Sequence, residues 1–187
     1  MSKTLPSYTS GTAEKPLLGM TIGEMLDRTA EKHPDNEALV CLHQDIRWTY
    51  KEFVEKVDEA ARAFMAIGVK RGDRVGIWSP NRYEWTVTQF ATAKVGAILV
   101  NINPAYGVHE LQYALNLAGI TTLVTADSFK ASNYREMIYE LAPELKRSAP
   151  GKLKADHVPE LRAVINVHED KHDGMWTWKE FVGFASD

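Results

Sequence analysis

A chain of 187 residues with 44% hydrophobic and 25% charged side chains can bury a sizeable core, which excludes collagen-like, coiled-coil and wholly disordered states. Twenty-two basic and 25 acidic residues leave a net charge of −3, so the basic footprint that nucleic acid demands is missing. Cys41 is the single cysteine, which excludes an intrachain disulfide and a cysteine-rich metal site.

Residues 1–20 are rich in Ser, Thr, Gly and Pro and read as an extended leader. They carry no apolar core of a secretory signal. The run Ala97-Ile98-Leu99-Val100 is far short of the ~20 apolar residues that span a bilayer. A cytoplasmic location without a transmembrane segment is the expectation. Thr21 and Glu24 form a capping box, and Ile22, Met25, Leu26 and Ala30 follow on one helical face until Pro34. Residues 37–42 read as a short strand, and His43-Gln44-Asp45 turns the chain into Arg47-Trp48-Thr49.

A second capping box, Thr49 with Glu52, opens a longer helix whose apolar stripe runs from Phe53 to Met65, with Gly68 at the position after its C-cap. Arg74–Trp78 is strand-like, and helix returns through Trp85, Val87, Phe90 and Ala91 to close at Gly96. Strand is expected at 97–103, helix at 109–118, strand at 121–126 and helix at 128–141. Residues 143–160 break the rhythm with prolines and lysines and read as a surface excursion. A strand at 163–167 and a third capping box, Thr177 with Glu180, complete residues 21–187 as one unit. Nearly continuous apolar strands separated by amphipathic helices predict an α/β fold, a Rossmann-like layered sheet with helices on both faces.

Several motifs look chemical and have a plainer explanation. His168-Glu169-Asp170-Lys171-His172 matches H-E-x-x-H, a spacing that aims two histidines at one zinc ion when it sits on a helix. Here it follows a strand, has no apolar face and soon meets Gly174, so a solvated loop is expected and no metal. Tyr8-Thr9-Ser10-Gly11-Thr12 lacks the preceding strand and the glycines of a phosphate-cradling loop. Cys41 lies in an apolar run and reads as a buried, inert thiol. No G-x-G-x-x-G occurs, which removes the main support for dinucleotide binding. Ligands of open α/β sheets bind beyond the carboxyl ends of strands. Two loops are due there, Ser79-Pro80-Asn81-Arg82 and Asn103-Pro104-Ala105-Tyr106-Gly107.

Three segments stand out together: Thr49-Tyr50-Lys51-Glu52-Phe53, the run from Gly72 to Asn81, and Leu99-Val100-Asn101-Ile102-Asn103-Pro104-Ala105-Tyr106 with Glu110-Leu111. In this order they resemble the opening portion of the acyl-CoA synthetases, members of the adenylate-forming (AMP-binding) superfamily shared with luciferases and peptide-synthetase adenylation domains. The stretch Pro16–Gly23 and the 143–159 excursion are most similar to the medium-chain fatty acyl-CoA ligase branch. Gly107 departs from the polar or basic residue common in that branch.

The resemblance implies the incomplete N-terminal domain of an adenylate-forming enzyme. The whole enzyme would join a fatty acid to ATP as an acyl-adenylate, with Mg2+, and then transfer the acyl group to CoA. The superfamily's phosphate loop, Thr-Ser-Gly-Thr-Thr-Gly-x-Pro-Lys-Gly, is absent from the 187 residues, and so is any recognisable catalytic residue. The chain alone is therefore expected to be inactive and to hold no cofactor tightly. The resemblance puts Asn103, Pro104, Ala105 and Tyr106 near CoA. The alternative is a non-catalytic α/β binding or interaction module derived from such a ligase. In either case, exposed apolar surface would favour self-association.

Overall fold

The computed structural model describes Gly11 and residues 17–186. The rest of the expected leader, including the other residues of the Tyr8–Thr12 stretch, lies outside the described residues. Helix α1 (Ile22–Lys32) begins at Thr21, whose hydroxyl accepts from the Glu24 amide while the Glu24 carboxylate accepts from the Thr21 amide. An antiparallel hairpin, β1 (Glu37–Cys41) and β2 (Ile46–Thr49), follows and turns at Asp45 in the left-handed region. It stands apart from the main sheet. Helix α2 (Tyr50–Ala66) starts at the Thr49–Glu52 capping box and ends before Gly68, whose φ is +93°.

The main sheet then builds in alternation with helices: β3 (Arg74–Trp78), α3 (Tyr83–Val95), β4 (Ile98–Asn101), α4 (Val108–Ala118) and β5 (Ile120–Thr125). A small hairpin, β6 (Ser128–Phe129) with β7 (Ser132–Asn133), precedes α5 (Tyr134–Leu141). The periodicity predicts helix from Ser128. The helix instead starts six residues later, because Lys130 takes a left-handed turn and the Asn133 side chain caps the Glu136 amide. The chain closes with β8 (Ala163–Asn166), β9 (Trp176–Thr177) and α6 (Trp178–Gly183).

The five strands lie in the order β4-β3-β5-β8-β9, and every pairing is parallel. Parallel neighbours need crossovers, and right-handed crossovers put the helix on opposite faces when the chain moves in opposite directions along the sheet. The packing agrees: α1, α2, α3 and α6 form one set, while α4 meets α5. The expected α/β sheet covered on both faces is thus the observed one. Central β5 is buried at all six residues, whereas edge strand β4 is exposed at Ile98 and Asn101. Trp78, Ile77, Leu123, Val124 and Ile165 form the sheet's core, and Phe64 meets Phe181 with ring centroids 4.7 Å apart.

Residues 143–160, expected as a surface excursion, contribute Leu145, Leu153, Ala155 and Val158 to the core. Three helices of the first set are tied by Lys94 of α3, which donates to Asp27 of α1 at 2.5 Å and to Asp58 of α2 at 2.6 Å. Burial opposes the Lys94 charge, yet these two carboxylates hold its ammonium above the ordinary lysine range.

The third capping box closes the structure at α6. Thr177 is buried and its hydroxyl accepts from the Glu180 amide at 3.1 Å, while the Glu180 carboxylate accepts from Thr177 at 3.0 Å and from Lys171 at 2.5 Å. Replacing an N-cap threonine with alanine costs about 1 kcal/mol, so Thr177→Ala is expected to lower the thermal midpoint by several degrees. The Lys171 ammonium, then the Thr177 amide, hold the Glu180 carboxyl below its usual value. A carboxyl lowered by folding stabilises above its unfolded pKa and loses that contribution as pH falls through the folded value. The loss caused by Thr177→Ala should therefore shrink toward acid pH, as circular dichroism melts between neutral and acid buffers would report.

Candidate functional site at the carboxyl end of the sheet

In a parallel sheet of this kind, the ligand crevice opens beyond the carboxyl ends where the strand order reverses. The reversal falls between β3 and β5, because β3 leads to β4 on one side and β4 crosses back to β5 on the other. Close to that position the chain buries two aromatic rings. Trp78 ends β3 and Tyr134 begins α5; both are fully buried, and their rings stack with centroids 3.6 Å apart and planes 14° from parallel. Buried Trp N–H and Tyr O–H groups require acceptors. Trp78 Nε1 donates to the Asn103 carbonyl at 3.1 Å, and the Tyr134 hydroxyl donates to the Pro104 carbonyl at 2.5 Å. Burial pushes the Tyr134 phenol up to about 12.

The loop bearing the expected site residues is therefore pinned from below at two successive carbonyls. Asn103 Oδ1 accepts from the Ala105 amide at 2.9 Å, and the Tyr106 amide donates to the Asn103 carbonyl at 3.1 Å. Asn103 and Ala105 are exposed, whereas Pro104 and Tyr106 are half-buried. Asn103, Pro104, Ala105 and Tyr106 thus share one tight turn at the mouth of the sheet. Tyr106 continues into an apolar groove of about 450 Å³, lined also by Val100, His109, Tyr113 and Leu117.

The second expected loop does different work. Ser79 is buried, and its hydroxyl donates to the Pro80 carbonyl. Arg82 reaches back to Glu84, with Nε 3.2 Å and Nη2 3.1 Å from the carboxylate oxygens. The Gln44 amide donates to the same carboxylate at 3.0 Å, while Gln44 Oε1 accepts from the Tyr83 amide at 2.9 Å. This network ties the β1–β2 hairpin to the start of α3. Burial, aided by the neighbouring Glu84 charge, pushes the Tyr83 phenol up to about 12. Cys41 is half-buried, and its thiol donates to Gln44 Oε1 at 3.1 Å. The fully buried thiol expected from the apolar run is corrected, because the hairpin lies outside the sheet that has two covered faces.

Across the mouth stands a group that the sequence reading missed. Asp127, just past β5, accepts from Asn166 Nδ2 at 2.5 Å, lies 3.1 Å from His172 Nε2 and 3.8 Å from His168 Nδ1. Asn166 Oδ1 in turn accepts from the His168 amide at 2.7 Å. The H-E-x-x-H segment lies in a loop, as expected, and the helix its zinc reading needs does not form. It is less solvated than expected, for the His172 side chain is only 10% exposed. Both imidazoles turn to the same carboxylate. Among the described residues no three His, Cys, Asp or Glu side chains are arranged to hold a metal ion. Asp127 and Asn166 follow or end adjacent strands, and that strand-end position was the one cue available in the sequence.

A triphosphate binds where several backbone N–H groups or free cations converge. At this end of the sheet Arg82 is already engaged by Glu84 and Asp127 adds a second carboxylate; carboxylates are Mg2+ ligands but repel phosphate, so these residues form no triphosphate clamp. The exposed turn at Asn103 offers polar backbone and side-chain groups beside an apolar groove, which suits a ligand with both amide and alkyl parts.

Residues 26–180 match the AMP-binding enzyme family, and the chain is a member of it. It is 44% identical over 161 residues to the mitochondrial medium-chain acyl-CoA ligase ACSF2 of Mus musculus, a match covering 86% of this chain and 26% of that protein. It is 40% identical over 180 residues to ACSF2 of Danio rerio, covering 96% of this chain and 30% of that one. The chain thus spans under a third of the length of these relatives. The N-terminal domain of FACL13 from Mycobacterium tuberculosis has the same fold, with a TM-score of 0.69 at 21% identity over 90% of this chain and 36% of that one. The resemblance to the N-terminal part of the acyl-CoA synthetases is borne out. The expected cytoplasmic location is corrected, since both ACSF2 relatives are named as mitochondrial. Among the described residues no helix is long and apolar enough to cross a membrane.

Proposed function

We propose that this chain is the N-terminal scaffold of an ATP-dependent, AMP-forming fatty-acid–CoA ligase. The whole enzyme uses ATP and Mg2+ to form an acyl-adenylate from a fatty acid, and CoA then displaces AMP to give the thioester. The observation that carries this reading is the family match over residues 26–180, in relatives named as medium-chain acyl-CoA ligases. The chain supplies no phosphate clamp, and charge neutralisation provides most of the catalysis in transfers at phosphorus; alone it is inactive. Its contribution is the wall at Asn103, Pro104, Ala105 and Tyr106, which faces CoA. Exposed Ile98, Tyr113 and Leu117 around the unpaired edge of β4 support self-association of the isolated chain.

The test is a chimaera in which residues 26–180 replace the matching segment of the mouse ligase. It is expected to form medium-chain acyl-CoA, whereas the 187-residue chain shows no fatty-acid-dependent ATP–pyrophosphate exchange. In the chimaera, Asn103→Ala should raise KM for CoA several-fold and leave the exchange reaction unchanged. A folded chimaera without either activity, or exchange by the chain alone, would overturn the reading.

A further inference from the structure

We infer that Trp78 and Tyr134 are a positioning pair that presents the Asn103–Tyr106 turn to CoA. This inference rests on the reading, proposed above, that the turn faces CoA. The indole and phenol stack face to face, both fully buried, at the carboxyl end of β3. Each ring has one polar hydrogen, and the two are donated to consecutive carbonyls of a single turn, those of Asn103 and Pro104. The carbonyl side of the turn is thereby drawn inward, and the exposed Asn103 side chain is left on the solvent side.

The pair is itself anchored on the sheet. Trp78 is the last residue of β3, and the Tyr134 amide donates to the Asp127 carbonyl, just past β5, at 2.8 Å. The turn thus inherits its position from two central strands rather than from its own sequence, and preorganisation of this kind lowers the ordering cost of binding. Tyr134 does not touch the ligand; it acts through the turn.

The experiment uses the chimaera described above and compares it with its Tyr134→Phe variant, which keeps the stacked ring and removes one donor, and with its Trp78→Phe variant, which removes the other. Calorimetric titration with CoA and amide hydrogen exchange are read well below the melting temperature of each protein. The expected result is CoA binding by the parent chimaera, about five- to tenfold weaker binding by Tyr134→Phe, the scale of one hydrogen bond, and faster exchange confined to residues 105–107. Unchanged CoA affinity in both variants, with or without a lower melting temperature, would overturn the positioning role while leaving the CoA-facing reading intact. Unchanged CoA affinity in Asn103→Ala would remove that reading and the inference together.

Discussion

Glu84→Ala is expected to destabilise the protein by about 3–5 kcal/mol, the range for breaking a buried ion pair from one side. The Glu84 carboxylate is only 2% exposed and is surrounded by its own partners, two guanidinium nitrogens of Arg82 and the Gln44 amide. Alanine leaves those donors facing a void, with the Arg82 side chain only 17% exposed. Glu84→Gln keeps the shape and part of the bonding, so its loss should be clearly smaller. Urea unfolding of the three proteins measures both steps. Equal stability of the alanine variant and the parent would show that the hairpin is not held to α3 by this network.

Gly174→Ala should produce a loss of similar size by a different route. Gly174 has φ of +72°, and an added Cβ would lie 2.0 Å from the Leu145 carbonyl oxygen. The left-handed backbone costs an ordinary residue roughly 1–2 kcal/mol, and forcing atoms into packed space costs roughly 1–3 kcal/mol more. The obstacle is main chain, so a side-chain rotation offers no relief. Because Gly174 closes the loop bearing His168 and His172, the variant should also free that loop. Limited proteolysis is expected to cut it near residues 168–173 before the sheet unfolds.

Much of the architecture is legible in local patterns. Three threonine–glutamate capping boxes mark three helix starts, and Gly68 and Gly96 mark two helix ends, because a helix terminus is set by hydrogen bonds within a few residues. The apolar strands separated by helices indicate a parallel sheet for the same local reason. The site is only half legible. Asn103 to Tyr106 follow a strand and can be placed at its carboxyl end, but what holds them is distant: Tyr134 lies some thirty residues further on. His168 and His172 carry a misleading spacing because their shared partner, Asp127, precedes them by about forty residues. The 128–133 hairpin is hidden in the sequence by a helical period that continues through it and is overridden by the left-handed Lys130 and the Asn133 cap.

Lys94 has a practical consequence for anyone shortening the protein. Its side chain is 14% exposed and shared between Asp27 and Asp58, and α1 approaches so closely that a Cβ on Gly23 would sit 3.0 Å from Lys94 Cγ. An expression boundary set after Asp27 would strip this ammonium of half its counter-charge and expose the flank of α3. A trimmed version should therefore start upstream of Thr21, even though the strands that carry the Asn103–Tyr106 turn begin some fifty residues later.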